Sequence, residues 1–213
     1  MNTQIAWHTE FARVIACTKC TAVTDRSLLR DAVENVPQPG FVGAGYAKTG
    51  VLLVGQNPGT PKAREAINRP YIAALRALRD EPTQERYFEL GIVLRDIIPQ
   101  WPITNHYFPF SKCELSLEDI AYCNVIRCRT AGDKKPSEYL ADQCVEEHFV
   151  RWLRHLAPKV VVFIGKWAWI QGRTSVASLS IPCAYINRQR SLSSADRSAN
   201  RAGVAALVCK HRG

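Results

Sequence analysis

The sequence predicts an α/β protein, a three-layer α/β/α sandwich around a central four-stranded, mostly parallel sheet. Three observations carry that reading. Short, continuously apolar runs end on turn residues, helical patterns separate the runs, and no repeat or low-complexity segment interrupts the alternation. With 213 residues and 46% hydrophobic content the chain can bury one good core, so a single domain over 1–213 is expected.

The elements follow in order. Val51-Leu52-Leu53-Val54, closing on Gly55, has the profile of a strand buried on both faces. Pro70 to Asp80 carries Ile72, Leu75 and Leu78 at helical spacing. Gln84 to Glu118 is rich in aromatics (Tyr87, Phe88, Trp101, Tyr107, Phe108, Phe110) and reads as either a lid or an extension of the core. Ala121 to Ile126 is a second strand, and Ser137 to Leu156 a helix opening after Pro136 and stopping before Pro158. Lys159 to Ile164, ahead of Gly165, is the clearest strand; Lys166 to Gln171 begins another helix. Pro182 to Ile186 is the fourth strand, and Ser194 to Cys209 an alanine-rich helix, basic along one face. Ligands of such sheets bind outside the carboxyl ends of the strands, which points to the residues after Val54, at Asn124 and after Ile186.

The formal charge is +9 and uneven: from Asn187 onward, Arg188, Arg190, Arg197, Arg201, Lys210 and Arg212 face only Asp196. Such a segment favours a polyanion such as DNA, with a merely solvated basic face as the alternative. No stretch approaches the roughly 20 apolar residues of a membrane span, and the first residues lack a basic-then-apolar leader pattern. A cytoplasmic monomer without membrane partners is expected.

Eight cysteines in a reducing compartment are not expected to form disulfides. Cys17 and Cys20 make a Cys-x-x-Cys in a polar segment, and Cys128 and Cys144 flank a turn-like stretch and the start of a helix. Cys123, Cys183 and Cys209 lie in apolar runs and read as core fillers; Cys113 stands alone. The histidines (His8, His106, His148, His155, His211) show no paired metal spacing, and His148 and His155 are expected at the surface.

Gly55-Gln56-Asn57-Pro58-Gly59 would make a tight turn in any context. The pentapeptide also resembles motif A of the uracil-DNA glycosylase superfamily, whose Asn form is similar to that of its mismatch-specific and single-strand-selective branches. That resemblance implies that Asn57 orients the attacking water. The chemistry suits it, because a sugar developing oxocarbenium character needs a placed water more than a deprotonated one. Asn68-Arg69-Pro70-Tyr71 sits where the superfamily carries an aromatic that stacks on the flipped base, which makes Tyr71 the candidate, against a half-buried tyrosine at a helix start. Cys123-Asn124-Val125-Ile126-Arg127-Cys128 resembles the Asn-x-x-x-Cys element of the iron–sulfur branch, implying that Asn124 reads a base edge, against a purely structural buried asparagine. Cys17, Cys20, Cys128 and Cys144 match the ligand layout of that branch (families four and five), implying a structural 4Fe–4S cluster, with zinc as the alternative. Arg127, Arg129, Lys134 and Lys135 nearby could meet phosphates.

Motif B departs from the family. After the fourth strand the chain reads Asn187-Arg188-Gln189-Arg190-Ser191-Leu192-Ser193, without the usual histidine. Asn187 or Arg188 would take its place, Arg188 as a permanent cation beside the leaving group. His106, in an aromatic loop, is the one histidine to test as a replacement. Gln56 and Asn187 are expected at the base, and Arg190, Ser191 and Arg197 at the DNA. The resemblance, running from Cys17 to about Ser193, implies a monofunctional DNA-repair glycosylase that hydrolyses the N-glycosidic bond of a flipped uracil or related pyrimidine. Two alternatives stay open: excision of a modified cytosine, as in hypermodified phage DNA, and a DNA-binding module that holds a base without excising it.

Overall fold

The computed structural model describes residues 6–20, 28, 36–59, 64–100, 107–131, 134–188 and 192–212. Their α-helices are α1 (Trp7–Ile15), α2 (Tyr46–Thr49), α3 (Arg64–Asp80), α4 (Gln84–Ile97), α5 (Glu138–Cys144), α6 (Val150–Leu156), α7 (Lys166–Ala177) and α8 (Ser194–His211). The strands are β1 (Phe41–Val42), β2 (Val51–Gly55), β3 (Ile120–Asn124), β4 (Val160–Ile164) and β5 (Cys183–Ile186). The chain divides into two compact units, each built from three stretches: Met1–Pro39, Asn57–Pro99 and Ile126–Cys144 in one, Gly40–Gln56, Gln100–Val125 and Val145–Gly213 in the other.

The second unit holds the sheet, in the order β1-β3-β2-β4-β5. β3, β2, β4 and β5 run parallel, and β1 is antiparallel to β3. Among the described residues the sheet therefore has five strands where the sequence predicts four. The extra one is two residues long, too short for any periodicity to show. Every residue of β2 and β4 is buried, as expected of central parallel strands covered on both faces. Val51, Leu53, Ile120, Val160, Val162, Ile164 and Ile186 form one apolar face with Val204, Ala205 and Val208 of α8. Phe163 points the other way, towards Phe149 and the α7 residue Gly172. Helices thus cover both faces, and the α/β sandwich stands.

The first unit is helical. α1, α3 and α4 pack on one another, with Phe11 set edge-on to Tyr87 at 5.1 Å between ring centroids. Leu75, Leu78, Leu90 and Leu94 of α3 and α4 are buried. Thr83 caps α4 by accepting from the Arg86 amide (3.3 Å), and Ser137 accepts from the Leu140 amide (3.2 Å) at the start of α5.

Several expectations need correction. Pro70 lies inside α3 rather than at its start, because packing against α1 and α4 carries the helix through a residue that propensity alone would place in a first turn. The helix predicted over 137–156 is continuous but widens to a π turn at Val145–Phe149. His148 is buried, not at the surface: it lies four residues before Trp152 and eight before Leu156, on the same buried stripe. His155 is half-buried. Cys209 is exposed, one residue past the inward-facing Val208, and Cys183 on edge strand β5 is only half-buried; Cys123 is fully buried as a core filler should be. The 84–118 stretch extends cores where it is described, α4 in the helical unit and Tyr107, Phe108 and Phe110 against the sheet.

Candidate active site

In the sheet unit, candidate residues collect at the carboxyl ends of the parallel strands. β2 and β3 finish in register, Gly55 opposite Asn124. Asn124 is buried, and its Oδ1 accepts a hydrogen bond from the Tyr122 hydroxyl at 2.8 Å. Tyr122 shares its face because it stands two residues earlier on the strand. A Cβ at position 55 would come within 2.2 Å of Asn124 Oδ1 and 2.6 Å of the Tyr122 oxygen. Gly55 is therefore a glycine for space, not for backbone freedom. Gln56 follows, half-buried, and the Val125 amide donates to the Gly55 carbonyl at 2.9 Å.

β4 ends on Gly165, whose φ of +101° suits glycine and disfavours other residues. Beside it β5 runs into Asn187 and Arg188. The Asn187 amide donates to Asn200 Oδ1 at 2.8 Å. Arg188 is exposed; its guanidinium sits 4.4 Å over the Tyr107 ring and donates to the Tyr107 hydroxyl at 3.1 Å. Arg197 donates to the Leu192 carbonyl at 2.7 Å, so part of its hydrogen bonding is spent on the chain itself. Arg190, Ser191, Gln189 and His106 lie outside the described residues.

The helical unit holds the rest. Asn57 is half-buried, and its Nδ2 donates to Thr130 Oγ1 at 3.1 Å and to the Pro58 carbonyl at 3.2 Å. Thr130 is itself buried. Tyr71 is 2% exposed within α3, more deeply set than a helix-start tyrosine would be.

Cys17, Cys20, Cys128 and Cys144 all belong to this unit and none forms a disulfide. Cys20 hydrogen-bonds with both Cys128 and Cys144, and Cys17 is near enough to act on it electrostatically. The hydrogen bond with Cys128 is the main cause pushing the Cys20 thiol up to about 12; the bond with Cys144 opposes it, and burial and the charges of Cys128 and Cys17 add to it. Cys144 is raised well above its ordinary value by its bond with Cys20 and by burial, opposed by the main chain and charge of Arg127. Mutually close sulfurs cannot ionise together without a cation, and a bound metal would supply it. The donor chemistry fits a thiolate-held metal centre. The side chains are not preset for one, since among the described residues no three His, Cys, Asp or Glu are arranged to hold an ion.

Arg127 and Arg129, expected near phosphates, are instead buried, at 0% and 2% exposure. Arg127 Nη1 donates to the Pro39 carbonyl at 2.6 Å, an inward role that charge in the sequence does not reveal. Lys134 and Lys135 are exposed. Sequence reasoning missed Tyr122, Thr130 and Tyr107. Strand alternation alone could have paired Tyr122 with Asn124; nothing in the sequence marks the other two.

No described helix is long and apolar enough to cross a membrane. A family model described as the Uracil DNA glycosylase superfamily matches residues 42–204. No curated protein matches the chain.

Proposed function

Because this chain belongs to the uracil DNA glycosylase superfamily, we propose that it is a monofunctional DNA glycosylase that hydrolyses the N-glycosidic bond of a flipped uracil or related pyrimidine. The observation that carries the reading is Asn124, a buried carboxamide at a strand's carboxyl end, kept in place by Tyr122 and given room by Gly55. With Oδ1 engaged by the Tyr122 hydroxyl, Nδ2 is the end that meets a base. That donor suits the O4 of uracil and opposes the exocyclic amine of cytosine.

Asn57 orients the water that attacks the sugar as the bond to the base breaks. Thr130 holds the amide nitrogen, which gives Oδ1 the acceptor's part towards a water O–H. In this reading Tyr71 is the residue that stacks on the extruded base, and Gln56 and Asn187 are base-binding residues. Arg188, a permanent cation, stabilises the departing base, and Arg190, Ser191 and Arg197 meet the DNA backbone. The chain acts on DNA as a monomer, in base-excision repair.

Cys17, Cys20, Cys128 and Cys144 would hold a 4Fe–4S cluster of the superfamily's iron–sulfur branch. When bound it supplies a structural cross-link between the N-terminal segment and the stretch from Cys128 to α5. A visible charge-transfer band with matching iron content tests that assignment, and zinc alone would replace the cluster by a zinc site.

The function is tested with duplexes each carrying one candidate base, scored as alkali-sensitive abasic sites. Uracil should be released, and Asn57→Ala should lose at least about tenfold in single-turnover rate. Release of a modified cytosine but not uracil would move the substrate. Tight binding with no product from any duplex would leave a DNA-binding module in place of an enzyme.

A further inference from the structure

Among the described residues β5 is the last strand of the sheet, with no strand on its outer edge. Gly165 donates to the Ile186 carbonyl at 2.9 Å and Val161 to that of Pro182 at 3.0 Å, so the even-numbered carbonyls face β4. The carbonyl of Tyr185 and the amide of Asn187 therefore face outward. In a parallel pair, one residue of the adjoining strand would bond both groups, giving its N–H to the first and its carbonyl to the second. Asn200 of α8 does this with its side chain. Its Nδ2 donates to the Tyr185 carbonyl at 3.2 Å, and its Oδ1 accepts from the Asn187 amide at 2.8 Å.

The same helix holds the chain again at Leu192. Arg197, one turn before Asn200, donates to the Leu192 carbonyl at 2.7 Å, and Ser193 caps the helix by accepting from the Asp196 amide at 3.0 Å. Asn187, at the end of β5, and Leu192, just before α8, are thus each held by a side chain of that helix.

We propose that Asn200 is a positioning residue whose carboxamide does for the outer edge of β5 what one residue of an adjoining strand would do. It extends the sheet's bonding to Asn187 and so fixes the frame from which Arg188 departs over Tyr107. The proposal rests on the glycosylase reading only for its consequence in catalysis; the clamp itself is a matter of local hydrogen bonding.

The test uses the full chain with Asn200→Leu, which keeps the shape without the polar ends, and Asn200→Asp, which keeps the acceptor and sets a carboxylate against the Tyr185 carbonyl. Hydrogen exchange at the Asn187 amide should speed up about three- to tenfold in the leucine variant, the range set by losing one net hydrogen bond. Single-turnover excision should fall about tenfold in both variants, while affinity for the same duplex stays within about twofold because phosphate contacts dominate it. Unchanged exchange would remove the clamp. Faster exchange with wild-type excision would make Asn200 merely structural and overturn the positioning role. If Asn200→Leu does not fold, the aspartate variant still reports on excision. A wild type that excises nothing defeats the glycosylase reading and the positioning role with it, but the exchange measurement still decides the clamp.

Discussion

Replacing Gly55 by alanine puts a methyl carbon where the structure has two oxygens. The new Cβ would stand 2.2 Å from Asn124 Oδ1 and 2.6 Å from the Tyr122 hydroxyl. Carbon and oxygen ordinarily approach to about 3.3 Å, so Oδ1 must move by roughly 1 Å. Gly55 is held opposite Asn124 by the pairing of β2 with β3, and Val54 just before it also pairs with β4. The side chains must yield, and with them their mutual bond of 2.8 Å. Losing that bond costs about 1 kcal/mol and the crowding about 1–3 kcal/mol more. A total of about 2–4 kcal/mol lowers the melting temperature of a chain this size by roughly 5–15 °C. On the proposed base-reading role of Asn124, displacing its amide by about 1 Å should also cost about 100-fold in excision. Thermal melting and single-turnover excision of uracil, run side by side, measure both effects. Gly59→Ala is the control, since a Cβ there meets nothing within 4 Å among the described residues. A Gly55→Ala protein that melts and excises like Gly59→Ala would refute the steric argument.

Tyr122→Phe removes the hydroxyl that holds Asn124 Oδ1 and should narrow the preference for uracil over cytosine about tenfold, read from competing duplexes. Thr130→Val takes away the side-chain acceptor of Asn57 Nδ2 and leaves it the Pro58 carbonyl, so excision should slow by about tenfold while DNA affinity, measured by fluorescence anisotropy, holds. Stripping metal with a chelator should lower the melting temperature, and Cys20→Ser should abolish metal uptake by elemental analysis. In the stripped protein the Cys20 thiol is raised from 9.0 to about 12. The folded state then keeps a proton that the unfolded state loses, so stability should fall as pH rises above 9.0, as denaturant titrations at stepped pH would show.

What the sequence determined by itself is what depends on local pattern. Val51–Val54 and Lys159–Ile164 are apolar without a break because central parallel strands are covered on both sides, and the structure puts strands there. Gly55 to Gly59 and Asn124 stood out at strand ends through their resemblance to superfamily motifs, as did the Cys17, Cys20, Cys128 and Cys144 layout, four residues that fall in one unit. Tertiary structure decided the rest. The pairing of Phe41–Val42 with β3, the burial of Arg127 against the Pro39 carbonyl and the hold of Thr130 on Asn57 each join residues far apart in the chain, and the hold of Asn200 on Asn187 joins a strand end to a separate helix. Periodicity reports only which face a residue shares with its near neighbours. A hydrogen bond across tens of residues leaves no such trace, because it depends on where separate elements come to rest.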